Sequence, residues 1–299
     1  MISVAKIILP LFLVLFTPST FGQRSLKITM QIKYTVVSNK NGSFRLVMLL
    51  PADRENLQKV DTILFSMPPR QVFTDGANKY AEFDIRNFSE KQIIIITAKM
   101  SIFRYDYSVA KKRIIVYDKE ELAPYLKDEK GLEINDSTII AAAYKALGTN
   151  EYEIVNELFL FVARTMIYNK YLIKSVGAKR ALSQRCGDCT EYSDLFVALC
   201  RARHIPARVI GGLVVPLETS TGFNNYKHNW TEVYFKDFGW VPIDVLHNRL
   251  KNNFTKMENK YIYLTFVRND INLKNINNFS YYISNNITDV SEEYKFSVE

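Results

Sequence analysis

The chain has 299 residues, 47% of them hydrophobic and 23% charged, which is enough apolar material for one large core or two ordinary ones and excludes a disordered chain. Its formal charge of +8 is scattered, as in Lys111-Lys112-Arg113 and Lys251, with no basic stripe interleaved with aromatics, and this argues against a nucleic-acid partner. Three cysteines in a chain this long do not make a disulfide framework, so at least one thiol stays unpaired.

Residues 1–22 have the three-part layout of a secretory signal peptide: Lys6, the apolar run Ile7 to Phe16, then small residues from Thr17 to Gly22. The run is too short for a stable anchor, so no membrane span is expected after cleavage near Gln23. Export to a periplasm, a cell surface or the medium follows. Seven Asn-x-Ser/Thr sequons occur, but a glycan on Asn229 would obstruct the neighbouring His228, and they read as by-products of an asparagine-rich composition.

Residues 23–115 read as an N-terminal β domain. Leu26 to Val36 alternates, Asn39-Lys-Asn-Gly42 is a turn signal, Phe44 to Leu50 runs back, and further strands fall at 80–85 and 92–107. The expectation is an antiparallel, sandwich-like domain with a structural or substrate-presenting role. Residues 116–136 are a charged linker. A second core spans 137–267: a helix over 138–147, and another over about 151–168 whose Ile154, Val155, Leu158, Phe159, Val162 and Met166 share one face. Strands follow at 209–215, 230–235, 240–245 and 261–267. The fold class is α+β, and the polar tail 268–299 receives no role.

Between those helices and strands lies Cys186-Gly-Asp-Cys189. Asp188 with Glu191 three residues on resembles a capping box, so a helix starts at Cys189 and packs Tyr192, Phe196, Leu199 and Cys200 inward. A thiol at a helix N-terminus is favoured as thiolate, but Asp188 and Glu191 oppose this, so an imidazole must do most of the activation. His228 lies on a strand and Asp244 on the next. If the connecting loop is centred on Asp237, with Gly239 at positive φ, Leu246 stands opposite His228 and Asp244 is its diagonal neighbour on the same face; a loop shifted by half a residue turns Asp244 away. Cys, His and Asp in this order suggest thiol acyl transfer, with the carboxylate fixing the imidazole tautomer.

Gly187-Asp-Cys189, Leu199-Cys-Arg-Ala-Arg-His-Ile-Pro-Ala-Arg208, His228-x-Trp-x-Glu-Val-Tyr234 and Gly239-Trp-x-Pro-x-Asp244 resemble the transglutaminase-like core of bacterial secreted proteins. The resemblance covers about 137–248. It implies a papain-like fold for the second core and a triad at Cys189, His228 and Asp244. It also implies an oxyanion hole from the Cys189 N–H with Gln184 or a tyrosine such as Tyr168. His204 departs from the family, which has Gly there.

Simpler readings stand beside these. Cys200 is a buried apolar residue, His204 a helix-end residue, and His247 a loop residue near the site. Trp230 and Trp240 are packing residues or walls of a cleft. Cys186 and Cys189 have thiol–disulfide spacing, and no set of four ligands at suitable spacing supports a metal, so neither metal nor cofactor is expected. The leading function is an exported cysteine acyltransferase or amidohydrolase acting through a Cys189 thioester on a protein, peptide or peptidoglycan-type carboxamide, with water as the favoured acceptor. A catalytically idle peptide- or glycan-binding module is the rival. The oligomeric state has no signature in the sequence.

Overall fold

A computed structural model describes residues 25–110, 112, 119–169, 175–216, 226–251, 254, 256–275 and 278–299. The signal-peptide reading of 1–22 and the junction at 115/116 lie outside the described residues. Strands β1 (Ser25–Leu50), β2 (Gln58–Phe65), β3 (Gln71–Asp75), β4 (Asn78–Phe88) and β5 (Lys91–Phe103) form an antiparallel sheet in the order β2-β5-β1-β4-β3.

The predicted reversal at Asn39–Gly42 does not occur. Buried residues keep even numbers on both sides of it, from Ile28, Met30, Ile32, Tyr34 and Val36 to Phe44, Leu46 and Met48, so the inward face continues without a change of direction. A strand over Ser280–Val298, the last of the chain, pairs antiparallel with both halves, from Ile28↔Val298 to Met48↔Ser280. Asn39–Gly42 is the irregularity between them, held by the Ser38 hydroxyl donating to the Asn286 carbonyl at 2.7 Å. The polar tail is thus the sixth strand of the N-terminal sheet. The last strand lines one edge of both halves of β1, so β5 and β4 follow one another along the other edge, and the rings of Phe65 of β2 and Phe83 of β4 meet at 5.9 Å within the shared sandwich-like core.

The second core begins with helices α1 (Ser137–Ala143), capped by Asp136, and α2 (Glu151–Thr165), capped by Asn150. The two-residue strand β6 (Ile167–Tyr168), helix α3 (Ala178–Gln184), the two-residue strand β7 (Cys186–Gly187) and helix α4 (Cys189–Ala202) follow. Every residue of α4 from Thr190 to Arg201 is buried, because α1, α2 and α3 cover part of it and a sheet covers the rest. That sheet comprises β8 (Ala207–Val214), β9 (Lys227–Phe235), β10 (Gly239–Ile243) and β11 (Tyr261–Thr265) in the order β10-β9-β8-β11; the short helix α5 (Val245–Asn248) follows β10, and β12 is the final strand, Ser280–Val298.

His204, the departure from the family pattern, sits just past α4 at φ +58, in the left-handed region that favours glycine. The two regions share packing: Leu213, Val215, Ile262, Leu264 and Phe279 join the apolar cluster of β1, β4 and β5. Polar contacts also cross between them. Glu232 of β9 is fully buried, and its carboxylate accepts from Arg208 at 2.6 and 2.9 Å and from Arg54, in the loop after β1, at 2.8 and 3.0 Å.

Candidate active site

The start of α4 is set locally. Arg185, at φ 52, ends α3, and β7 then pairs parallel with β6. Asp188 accepts the Thr190 N–H at 2.8 Å, while Glu191 accepts the Asp188 N–H at 3.2 Å and the Val176 N–H at 3.1 Å, which completes the capping box. Gly187 is required beside it, since a Cβ there would stand 2.3 Å from Glu191 Cβ.

Cys189 is therefore the first residue of a buried helix and is itself only partly exposed. Thr190, the residue after it, accepts the side-chain amide of Asn229, the neighbour of His228, at 2.9 Å, and the Asn229 backbone N–H favours the thiolate form of Cys189. These contacts bring the thiol to the leading end of β9. Burial and the adjacent Asp188 carboxylate push the thiol up to about 12, with a smaller push from Asp244 and partial relief from the Asn229 N–H and Thr190. The resting thiol is protonated; the helix N-terminus does not prevail over burial and Asp188.

The β9–β10 register is the one a loop centred on Asp237 demands. Phe235 pairs with Gly239 and Thr231 with Ile243, and Gly239 takes φ 74. The ladder ends at Ile243, before Leu246 can face His228, because Asp244 leaves the strand to cap α5, its Oδ1 accepting the His247 N–H at 2.9 Å. The other oxygen, Oδ2, lies 2.7 Å from His228 Nε2 and accepts the Tyr261 hydroxyl at 2.8 Å. Burial alone would raise the Asp244 carboxyl, but the two neighbouring imidazoles hold it well below the usual carboxylate range. Asp244 is thus an acceptor, and His228 presents Nε2–H to it.

His247 is exposed but belongs to the same cluster. Its Nδ1 lies 2.9 Å from Asp244 Oδ2, and its ring stacks on that of His228 at 4.3 Å and 15°. The side-chain nitrogen or oxygen ligand atoms of His228, Asp244 and His247 all fall within 4.8 Å of one another. Trp230 is fully buried behind His228, at 6.1 Å, between Tyr261 and Tyr263, so it backs the histidine rather than lining an open cleft. Room for its ring comes from Gly212, where a Cβ would lie 2.6 Å from Trp230 Cη2.

The remaining candidates are more dispersed. Trp240 pairs with Tyr234, six residues and roughly 20 Å along the strand from His228, and stacks on the Arg208 guanidinium at 4.1 Å, so it belongs to the Glu232 cluster and not to a cleft wall. Tyr168 is 44% exposed and pairs with Gly187, two residues from Cys189, under the Arg249 guanidinium at 5.9 Å. Gln184 is exposed at the end of α3, separated from Cys189 by β7. Cys186, Cys189 and Cys200 are all free thiols, and Cys200 is buried as expected. Sequence reasoning missed Tyr261; the Gly211-Gly212 pair inside β8 was the available signal that bulky rings gather on this part of the sheet.

Residues 121–245 match the model of the transglutaminase-like superfamily. A comparison with curated proteins finds no match. Among solved structures, a candidate cysteine protease from Cytophaga hutchinsonii is 17% identical over 91% of this chain and 90% of its own, with a TM-score of 0.62. The periplasmic domain of TgpA from Pseudomonas aeruginosa, bound to ethylmercury, is 16% identical over 70% and 90%, at 0.39, and red sea bream transglutaminase is 10% identical over 68% and 45%, at 0.35. With the Cys189 helix, the β9–β10 register and this match together, residues 121–245 carry a core of the transglutaminase-like superfamily, here joined to an antiparallel β domain.

Proposed function

We propose that the chain is an exported cysteine acyl-transfer enzyme whose chemistry is hydrolysis of a peptide or peptidoglycan-type carboxamide. The observation that carries this reading is the buried His228–Asp244 hydrogen bond of 2.7 Å at the strand end that is tied, through Asn229 and Thr190 at 2.9 Å, to the helix turn that begins at Cys189. With Nε2 committed to Asp244, Nδ1 is the nitrogen left to serve the thiol. Because the thiol is protonated at rest, His228 acts as general base: the proton passes from Sγ to the imidazole as the S–C bond forms. Asp244 stabilises the imidazolium, which returns the proton to the departing amine. Water, deprotonated by the same imidazole, then attacks the thioester carbonyl, and as the C–S bond breaks the imidazolium returns that proton to Sγ, which releases the acid and restores the resting thiol. The Cys189 N–H is one donor to the developing oxyanion, since Asp188 takes up the Thr190 N–H instead.

Export rests on the layout of residues 1–22, and protease-like chemistry on the fold shared with the Cytophaga protein. The test is intact-mass detection of an acyl adduct after incubation of the mature chain with reporter peptide carboxamides and activated peptide esters. The adduct should map to Cys189, disappear in Cys189→Ala, and form at least ~100-fold more slowly in His228→Ala. A folded protein that never acylates on Cys189 would be the idle binding module instead.

A further inference from the structure

The carboxylate of Asp244 has more partners than a single histidine needs. Three polar groups converge on Oδ2: His228 Nε2 at 2.7 Å, the Tyr261 hydroxyl at 2.8 Å and His247 Nδ1 at 2.9 Å. One carboxylate oxygen offers about two lone pairs, so three donors cannot all be well served there. His247 Nδ1 also lies 3.0 Å from the Tyr261 hydroxyl, which gives that nitrogen an alternative partner. Two imidazole nitrogens and a carboxylate oxygen, each within 4.8 Å of the others, form the donor set of open zinc sites, three protein ligands with a position left for water. Closing such atoms around an ion with bonds of about 2.0–2.1 Å needs N···O spacings of about 3.3 Å, an opening of about 0.5 Å from the present contacts. His247, whose side chain is 39% exposed on a short helix, can supply that movement and a path from solvent.

We propose that His228, Asp244 and His247 form a binding site for a divalent transition metal of the Zn2+ type, and that the bound ion switches the enzyme off. The ion would engage the His228 nitrogen and the Asp244 oxygen that hold the imidazole in its working tautomer. Only this inhibitory half rests on the proposed acyl-transfer function; binding does not.

The test uses the folded mature chain after chelator dialysis, titrated calorimetrically with Zn2+ and optically with Co2+. One equivalent should bind, at least tenfold more weakly in His247→Asn and unchanged in Cys189→Ser, and the Co2+ spectrum should lack a thiolate-to-metal charge-transfer band. The wild-type spectrum reads the ligand type without any His247 variant, should that variant misfold. No binding, undiminished binding in folded His247→Asn, or a thiolate band lost in Cys189→Ser would overturn the site. If acylation of Cys189 proceeds at saturating Zn2+, the switch falls while the site stands. If Zn2+ binds but Cys189 never acylates, the acyl-transfer reading falls instead.

Discussion

Replacing Asp244 with Asn tests the arrangement with little change of shape. Oδ1 is fixed by the His247 N–H at 2.9 Å, so the Asn carbonyl must keep that place and its NH2 must take the place of Oδ2. An amide donor now faces His228 Nε2, which must become the acceptor, and the ring proton moves to Nδ1, the nitrogen meant to take the thiol proton. The base is silenced. What then remains is the thiol alone, held at about 12. At pH 7 such a thiol is ionised to only ~10⁻⁵, against ~3% for an ordinary thiol of about 8.5. Thiolate nucleophilicity rises with pKa, with a slope of ~0.45, which returns about 1.6 of those 3.5 decades. Cys189 in Asp244→Asn should therefore exchange with an aromatic disulfide about 100-fold more slowly than free cysteine, whereas wild type should react faster than this bound. The assay is site-resolved exchange from pH 6 to 9, read by mass spectrometry. A contrary effect is built in, because Asp244 also raises the thiol; if Asp244→Asn reacts faster than wild type while folded, electrostatics outweigh base catalysis and the reasoning fails.

Glu232→Gln leaves the Arg54 and Arg208 guanidinia buried without a counter-charge, which should cost about 3–5 kcal/mol and lower the thermal midpoint by roughly 6–10 °C in scanning calorimetry. Gly187→Ala forces a Cβ to within 2.3 Å of Glu191 Cβ, so the first turn of α4 must shift; about 1–3 kcal/mol of stability and most Cys189 acylation should be lost together, as seen by denaturation and adduct yield. Cys200 is fully buried and its thiol is pushed up by that burial, so native alkylation should spare it and label the partly exposed Cys186, with Cys200 reacting only in denaturant.

What was legible in the sequence was what depends on neighbours a few residues apart. The capping box needs only Asp188 and Glu191, and the β9–β10 register needs only a loop centred on Asp237 with Gly239 to close it. The reversal expected at Asn39–Gly42 failed because turn composition is also bulge composition, and the deciding partner, β12, lies more than two hundred residues downstream in the chain. β12 itself was unreadable because it is largely exposed along its length, leaving little apolar alternation to detect. From sequence His247 reads as a loop residue, because nothing in its spacing from His228 tells that Asp244 leaves its strand to cap a helix. That single departure puts His247 over His228 and commits both oxygens of Asp244.

The same long-range contacts bear on where the histidine stands. Lys227, the residue before His228, donates to Asn278 at 2.9 Å and to Glu292 of β12 at 2.7 Å, and Tyr226 packs edge-on against Phe296 with centroids at 5.0 Å. Glu292 also accepts from the Tyr294 hydroxyl at 2.7 Å, so its carboxylate is fixed within the N-terminal sheet. Four residues along β9, Glu232 is gripped by Arg54 from the loop after β1. The strand that carries His228 is thus tied to the N-terminal sheet at its start and to the loop after β1 at its middle. On the proposed acyl-transfer reading, an imidazole that meets Asp244 on one nitrogen and a thiol on the other tolerates little displacement, and these contacts with the β domain would hold it in place.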